Sequence, residues 1–264
     1  MKNPISAIIL TYNEEVNLEN CLKNIFGWAD EIFIVDSYST DKTLEIAKKY
    51  NCKIFQHPFE NQAIQFNWAL DNLEIKNEWI IRLDSDEYLT EELKNEISEK
   101  IKNPPAGVNG YYMKRRVYFM GKWIKHGGYY PTWILRLFKK GKGRSELRKV
   151  DEHIVLSEGK EGKLKNDFID SNKKNLTWWT GKHNDYASRE AADFLSGNLG
   201  ISKKRYYYKL PMFFRAWLFF IYRYFIRLGF LDGRRGLIFH FLQGFWYRFL
   251  VDAKIYEAKR NEKN

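Results

Sequence analysis

The chain has 264 residues, enough for one large α/β domain with a sizeable core, and its two cysteines, Cys21 and Cys52, are too few for a disulfide framework. No apolar run reaches the roughly 20 residues that a membrane span needs, and the opening ISAIIL is too short for a secretory leader, so a reducing, cytoplasmic setting is expected. The net charge of +11 is lopsided: Lys203 to Arg260 holds 13 Lys plus Arg against only Asp232, Asp252 and Glu257, which puts nearly all the excess in the last quarter.

In chain order, residues 5–11 (ISAIILT), 31–36 (EIFIVD), 53–56 (KIFQ) and 78–84 (EWIIRLD) are short apolar runs of strand length. Between them, 14–26, 41–50 and 61–72 carry apolar residues at helical spacing. Alternation of this kind predicts a parallel sheet with crossover helices. Ligands of such sheets bind beyond the carboxyl ends of the strands. Those ends are polar here. The first runs into Thr11-Tyr12-Asn13-Glu14, the second into Asp36-Ser37-Tyr38-Ser39-Thr40-Asp41, and the fourth into Asp84-Ser85-Asp86.

Each cluster has an ordinary explanation. Thr11 and Glu14 fit a capping box, Ser39 to Asp41 an N-cap, and Thr90 with Glu91 and Glu92 the start of a helix. None of these accounts for WIIRLDSDEYL, where a buried strand ends in Asp84, Asp86 and Glu87, acids that repel unless something positive lies among them. Three polar strand ends on one sheet edge, with a carboxylate pair among them, suit a diphosphate held through Mg²⁺ or Mn²⁺, since both ions take hard oxygen ligands. Neither a P-loop nor a dinucleotide fingerprint is present.

Further on, HGGYYPTWILRLF carries Gly127, Gly128 and Pro131, a tight-turn signal. Its Arg136 lies in an apolar strand and needs a partner, either a phosphate or an acid. His126, His153 and His183 show no ligand spacing. HNDYASREAADF reads as a helix. The tail follows with two aromatic helices, 211–230 and 237–257, separated by LDGRRG, and Arg215, Arg223 and Arg227 fall within an arc of about 120° on the first. That pattern suits the surface of an anionic membrane. Packing within the chain and a contact between copies (a homo-oligomer) are the alternatives. The segment is too apolar for a nucleic-acid groove, so no nucleic acid is expected.

AIILTYNEEVNLENCLKNI, EIFIVDSYSTDKTLEIAKKY and WIIRLDSDEYL together resemble, in order and spacing, the nucleotide-sugar domain of family two glycosyltransferases. YFMGKWIKHGGYYPTWILRLFKKGKGR and VDEHIV are similar to the bacterial envelope subgroup that contains the lipopolysaccharide-core β-glucosyltransferases. The resemblance implies an α/β GT-A fold, a Rossmann-like, mostly parallel sheet flanked by helices, here with a C-terminal basic, aromatic helical hairpin. It implies a GT-A domain over 1–200, made of a nucleotide-sugar half (1–105) and an acceptor half (106–200), followed by a tail over 201–264. The activity it implies is inverting transfer from a nucleotide-diphosphate sugar, a UDP-sugar first of all, to a membrane-associated glycan or glycolipid. A lipopolysaccharide core and a polyprenyl-diphosphate-linked oligosaccharide are the acceptors implied, at the cytoplasmic face of the inner membrane. Transfer to a polyprenyl phosphate, or binding without turnover, is the alternative.

By similarity, Thr11, Tyr12, Asn13, Glu14 and Asp36 line the nucleoside pocket, although Ser37 stands where many relatives have a second Asp. Asn67 matches a residue near the diphosphate, and a helix-surface amide is its alternative. Asp86 is implied as the ligand of Mg²⁺ or Mn²⁺, with Asp84 assisting. Glu152 is implied as the base that deprotonates the acceptor, with Asp151, which replaces the usual His, as its rival. Arg136, His126, Tyr130 and His153 are candidates for diphosphate or acceptor contacts.

Overall fold

The computed structural model describes residues 2–147, 153–197 and 206–261. The chain folds as two compact units, Met1–Tyr118 with Pro131–Lys173, and Phe119–Tyr130 with Lys174–Asn264.

The first unit is built on a mixed sheet. Strands β1 (Asn3–Thr11), β2 (Ala29–Asp36), β3 (Lys53–Gln56) and β4 (Trp79–Asp84) alternate with α1 (Leu18–Ile25), α2 (Thr43–Lys49) and α3 (Gln62–Asn72). A three-residue β5 (Glu87–Leu89) leads to α4 (Glu91–Lys102), and β6 (Val108–Phe119) follows. A two-residue β7 (Lys122–Trp123) comes next in the chain, and β8 (Thr132–Lys139) and β11 (Lys160–Asp170) complete the sheet. The order is β3-β2-β1-β4-β8-β6-β11-β5. The block β3-β2-β1-β4 is parallel throughout, and so is the pair β6–β11, while β8 runs against both its neighbours. A separate hairpin joins β9 (Gly143–Ser145) to β10 (Ile154–Leu156).

The two-residue period of β1 explains why helices flank both faces. Ile5, Ala7 and Ile9 join the cluster that includes Leu18, Leu22 and Ile25 of α1, Ala47 of α2 and Leu93, Ile97 and Ile101 of α4. Ile8, on the opposite face, packs with Phe66 and Ala69 of α3, Ile80 and Phe138. Each of the larger side chains buried here contributes about 1.5–3 kcal/mol of transfer free energy. Thr90 caps α4, its hydroxyl accepting from Leu93 N–H at 3.2 Å.

The second unit is helical. In it, α5 (Leu176–Leu195) packs against α8 (Tyr247–Asn261) through Ala187, Ala191, Tyr247, Val251 and Ile255. Between them lie α6 (Phe214–Ile221), which widens into a π-helical turn at Tyr222–Ile226, a 3₁₀ turn (Gly229–Asp232), α7 (Gly233–His240) and a second π segment (Phe241–Trp246). The second tail helix therefore starts four residues before the expected 237, taking GRRG into its first turn. The arginine stripe read on the first helix is not a surface feature. Arg215 is buried and its Nε donates to Asp252 at 2.8 Å, and Arg223 donates to Gly127 O at 2.9 Å and lies 4.2 Å over the Tyr129 ring. Only Arg227 of the three is exposed. Among the described residues no helix is long and apolar enough to cross a membrane.

Candidate active site

Register alone assembles the strand ends of the first unit. Leu10 pairs with Asp84, Thr11 with Asp36, and Asp36 with Gln56, so the carboxyl ends of β4, β1, β2 and β3 form one row. Thr11 Oγ1 donates to Asp36 Oδ1 at 2.9 Å, which is why Thr11 does not cap α1. Asp36 is fully buried, and it also accepts from Ser39 N–H at 2.8 Å, the Ser39 hydroxyl at 2.5 Å and Gln56 Nε2 at 3.3 Å.

The loops beyond β1 and β2 are stitched together. Asn13 N–H donates to Ser39 Oγ at 2.8 Å, Thr40 N–H to Asn13 Oδ1 at 2.8 Å, and Glu14 N–H to Thr43 Oγ1 at 2.7 Å. Asp41 accepts from Thr43 N–H at 2.9 Å in the first turn of α2 and from Glu15 N–H at 3.1 Å across the loops, while the N-cap position itself is Lys42, whose side chain caps nothing. Asn13 (φ 52°) and Tyr38 (φ 59°) adopt left-handed backbone, a conformation that Asn tolerates better than Tyr. The result leaves Tyr12 and Tyr38 exposed, 58% and 52%, on neighbouring strand ends.

The acids of WIIRLDSDEYL divide by partner. Glu87 turns inward, almost fully buried, and receives Asp84 N–H at 2.9 Å and Arg136 Nη2 at 2.5 Å. The same Arg136 nitrogen reaches Asp84 Oδ2 at 3.0 Å, and Arg82 Nη2 lies 3.6 Å from Asp84 Oδ1. Both arginines are buried. Burial pushes the Glu87 carboxyl up, and Arg136 opposes that rise while Asp84 and Asp170 add to it. Burial by itself would lower Arg136, but Asp84 and Glu87 outweigh it and hold the guanidinium charged. Behind the loop, Cys21 directs its thiol to Asp84 O at 3.8 Å, and burial, then Glu87, Asp86 and Asp84, keep that thiol protonated.

Asp86 stands apart. It is half-buried, and the partner of its carboxylate is a neutral amide, Asn172 Nδ2 at 2.7 Å on Oδ2, while Ser171 N–H fixes its carbonyl at 2.9 Å. Among the described residues no arginine or lysine pairs with it. Two carboxylates two residues apart, one clamped by arginines and one without a cation, are hard oxygen donors that fit Mg²⁺ or Mn²⁺ as part of a shell that phosphate oxygens and water would complete. No group of three or more His, Cys, Asp or Glu that could by itself hold a metal occurs among the described residues.

Asn67 is buried on α3, not on a helix surface, and its amide closes a ring with Ser145, donating to the carbonyl and accepting from the N–H, both at 2.9 Å. His153 is exposed, its carbonyl accepting from Glu146 N–H at 2.9 Å. Asp151 and Glu152 lie outside the described residues. In the second unit, His126 Nδ1 is 2.8 Å from Asp232 Oδ1, and the Tyr130 ring meets Trp123 edge-on at 5.0 Å. The sequence reading missed Arg82, Glu87 as an inward partner, and Asn172. Arg82 carried the same signal as Arg136, a cation inside an apolar strand; nothing in the sequence pointed to Asn172, 86 residues from Asp86.

Residues 6–154 match the family described as Glycosyl transferase family 2. This chain belongs to that family. Every candidate expected from the sequence, from Thr11 to His153, falls inside the matched span. The glycosyltransferase is 31% identical, over 97% of its own length and 93% of the relative's, to the lipopolysaccharide core biosynthesis glycosyltransferase LpsC of Rhizobium meliloti (strain 1021). It is 27% identical to the glycosyltransferase RT0209 of Rickettsia typhi, over 98% of this chain and 89% of that one. Among solved structures, S. aureus TarS is similar with a TM-score of 0.46 and 18% identity, over 77% of this chain and 41% of TarS. Glucosyl-3-phosphoglycerate synthase from Mycobacterium tuberculosis, in complex with Mn²⁺ and UDP-glucose, gives a TM-score of 0.36 and 18% identity over 43% of each chain. The likeness covers less than half of either solved structure. The fold of the family 2 enzyme is the expected α/β architecture, a mostly parallel sheet flanked by helices with a helical, aromatic C-terminal region.

Proposed function

We propose that this glycosyltransferase moves a sugar, with inversion, from a UDP-sugar to a hydroxyl of an envelope glycan. The acceptor is a lipopolysaccharide core or a polyprenyl-diphosphate-linked oligosaccharide. One observation carries the donor half of this reading: Asp84 and Glu87 are neutralised by buried arginines, whereas Asp86, at the same strand end, has no cationic partner among the described residues. The acceptor half rests on the likeness to LpsC over almost the whole chain.

In this reading Asp86 and Asp84 hold Mg²⁺ or Mn²⁺, which when bound neutralises charge on the departing nucleoside diphosphate. Arg82 and Arg136 fix the Asp84 carboxylate, and Asn172 fixes that of Asp86, so neither has to be ordered when the donor arrives. Thr11, Asp36, Ser39 and Asn13 hold the paired loops in one conformation, with Tyr12 and Tyr38 offered to the nucleoside. Glu152, with Asp151 as its rival, takes the proton from the acceptor hydroxyl.

Calorimetric titration with UDP, GDP and CDP, each with Mn²⁺ and with EDTA, tests the donor site. UDP binding is expected only with Mn²⁺ and is expected to be lost in Asp86→Asn. Failure of every nucleotide to bind would overturn the assignment. Glu152→Gln is expected to lower turnover by roughly a hundredfold or more while leaving UDP affinity unchanged. Transfer that survives both Glu152→Gln and Asp151→Asn would point instead to an acceptor that is already ionised, such as a polyprenyl phosphate.

A further inference from the structure

Within the second unit, one buried acid organises a surface. Asp232 accepts from Lys125 N–H at 3.3 Å and His126 N–H at 3.0 Å, pairs with His126 Nδ1 at 2.8 Å, and lies 3.4 Å from His240 Nε2. These contacts fasten the loop around Lys125 to the turn that opens α7. The clasp is tight: a Cβ on Gly127, whose φ is +68°, would lie 2.1 Å from His240 Cε1.

Asp232 is the sole acid from Tyr206 to Val251, and it faces inward, 2% exposed. Of the cations around it, Lys125, Arg227, Arg234 and Arg235 are exposed and Lys122 is half-buried. A Cβ on Gly121 would lie 3.8 Å from Arg235 Nη1, one on Gly233 3.4 Å from Lys122 Nζ, and one on Gly128 3.6 Å from Arg227 Cζ. Among the described residues no carboxylate pairs with Lys122, Lys125, Arg227, Arg234 or Arg235. Beside them the chain exposes large apolar side chains: Phe225 (54%), Ile226 (68%), Leu228 (47%), Phe230 (44%) and Leu231 (53%). Exposed apolar groups interleaved with unpaired cations suit neither a water-facing surface nor an ordinary protein contact, whose core is depleted of charge.

From this we infer that the turn Phe225–Arg235, with Lys122 and Lys125, docks on an anionic phospholipid bilayer, the apolar side chains entering the headgroup layer and the cations meeting lipid phosphates. The inference is independent of the donor-site reading.

Co-flotation of the full chain with vesicles tests it. Binding is expected to vesicles of phosphatidylglycerol and phosphatidylethanolamine, weakening with salt, and not to phosphatidylcholine alone. Each cation removed should cost roughly fivefold, so Arg227→Gln/Arg234→Gln/Arg235→Gln should bind about a hundredfold more weakly. Phe230→Ser/Leu231→Ser should also release the protein. Equal binding to neutral vesicles, or a triple variant that floats like the parent, would overturn the inference. So would a dimer that Phe230→Ser/Leu231→Ser dissociates without changing vesicle binding. Mn²⁺-dependent nucleotide binding and thermal unfolding, measured on the same variants, separate loss of docking from loss of fold or donor site.

Discussion

At the residue scale, the puzzle of three acids in WIIRLDSDEYL resolves into a division of labour. Arg136 and Arg82 come from β8 and β4 to lie among the acids, and Glu87 turns into the core to meet the first of them. Breaking such a pair leaves a buried charge without its partner. Arg136→Met is therefore expected to destabilise the protein by about 3–5 kcal/mol, and Arg136→Met/Glu87→Leu to recover most of that loss, read as a double-mutant cycle in urea unfolding. Independent, additive effects would show that the two side chains do not act as a pair. That Arg136 needed a partner was legible in the sequence, because a cation in an apolar strand is costly alone. Which acid would turn inward was not legible. A strand of three residues, β5, carries too little alternation to show that Glu87 faces the core.

At the scale of elements, the alternating apolar runs gave the first four strands and their helices to within a few residues, since burial on both faces requires continuous apolar strands. Local capping rules did less well at the strand ends. Thr11 could bond to its own helix or to the neighbouring strand, and the parallel register placed Asp36 directly opposite it. Asn67 shows the same competition: its spacing on α3 says nothing of Ser145, 78 residues away. Asn67→Leu would strand two buried backbone groups of Ser145 and is expected to cost about 2–4 kcal/mol. Faster amide exchange at Ser145 and Glu146 than in α4 would accompany it; uniform exchange would argue against a local pin. The tail departed from expectation for a related reason. Arg215 could not declare in sequence that Asp252, on α8, would bury it.

At the scale of the whole molecule, acid is the condition to which the helical unit is exposed. His183 stacks on Trp179 at 3.5 Å and its Nδ1 lies 2.8 Å from the Trp179 carbonyl oxygen, and burial lowers it to about 4. Below the ordinary histidine value the unfolded chain takes up a proton that the folded one refuses until near pH 4. Stability is therefore whole above about pH 6.5 and declines as pH falls toward 4, by up to about 3 kcal/mol from this ring, less for the part of it that meets water. Urea unfolding from about pH 7 to about pH 4.5 should show His183→Gln with a shallower decline than the parent; parallel curves would remove His183 as the cause.

The stretch from Tyr206 to Val251 is also written almost wholly in one cation, six arginines against the single Lys209. Guanidinium groups keep their charge across any pH a cell reaches, and they are not the usual substrates of lysine acetylation. The positive charge of this stretch, Lys209 apart, is consequently fixed. If this stretch docks on a negative surface, a change of charge on the protein's own side falls to Lys122 and Lys125, and otherwise release comes from diluting the negative charges opposite or raising the salt between them.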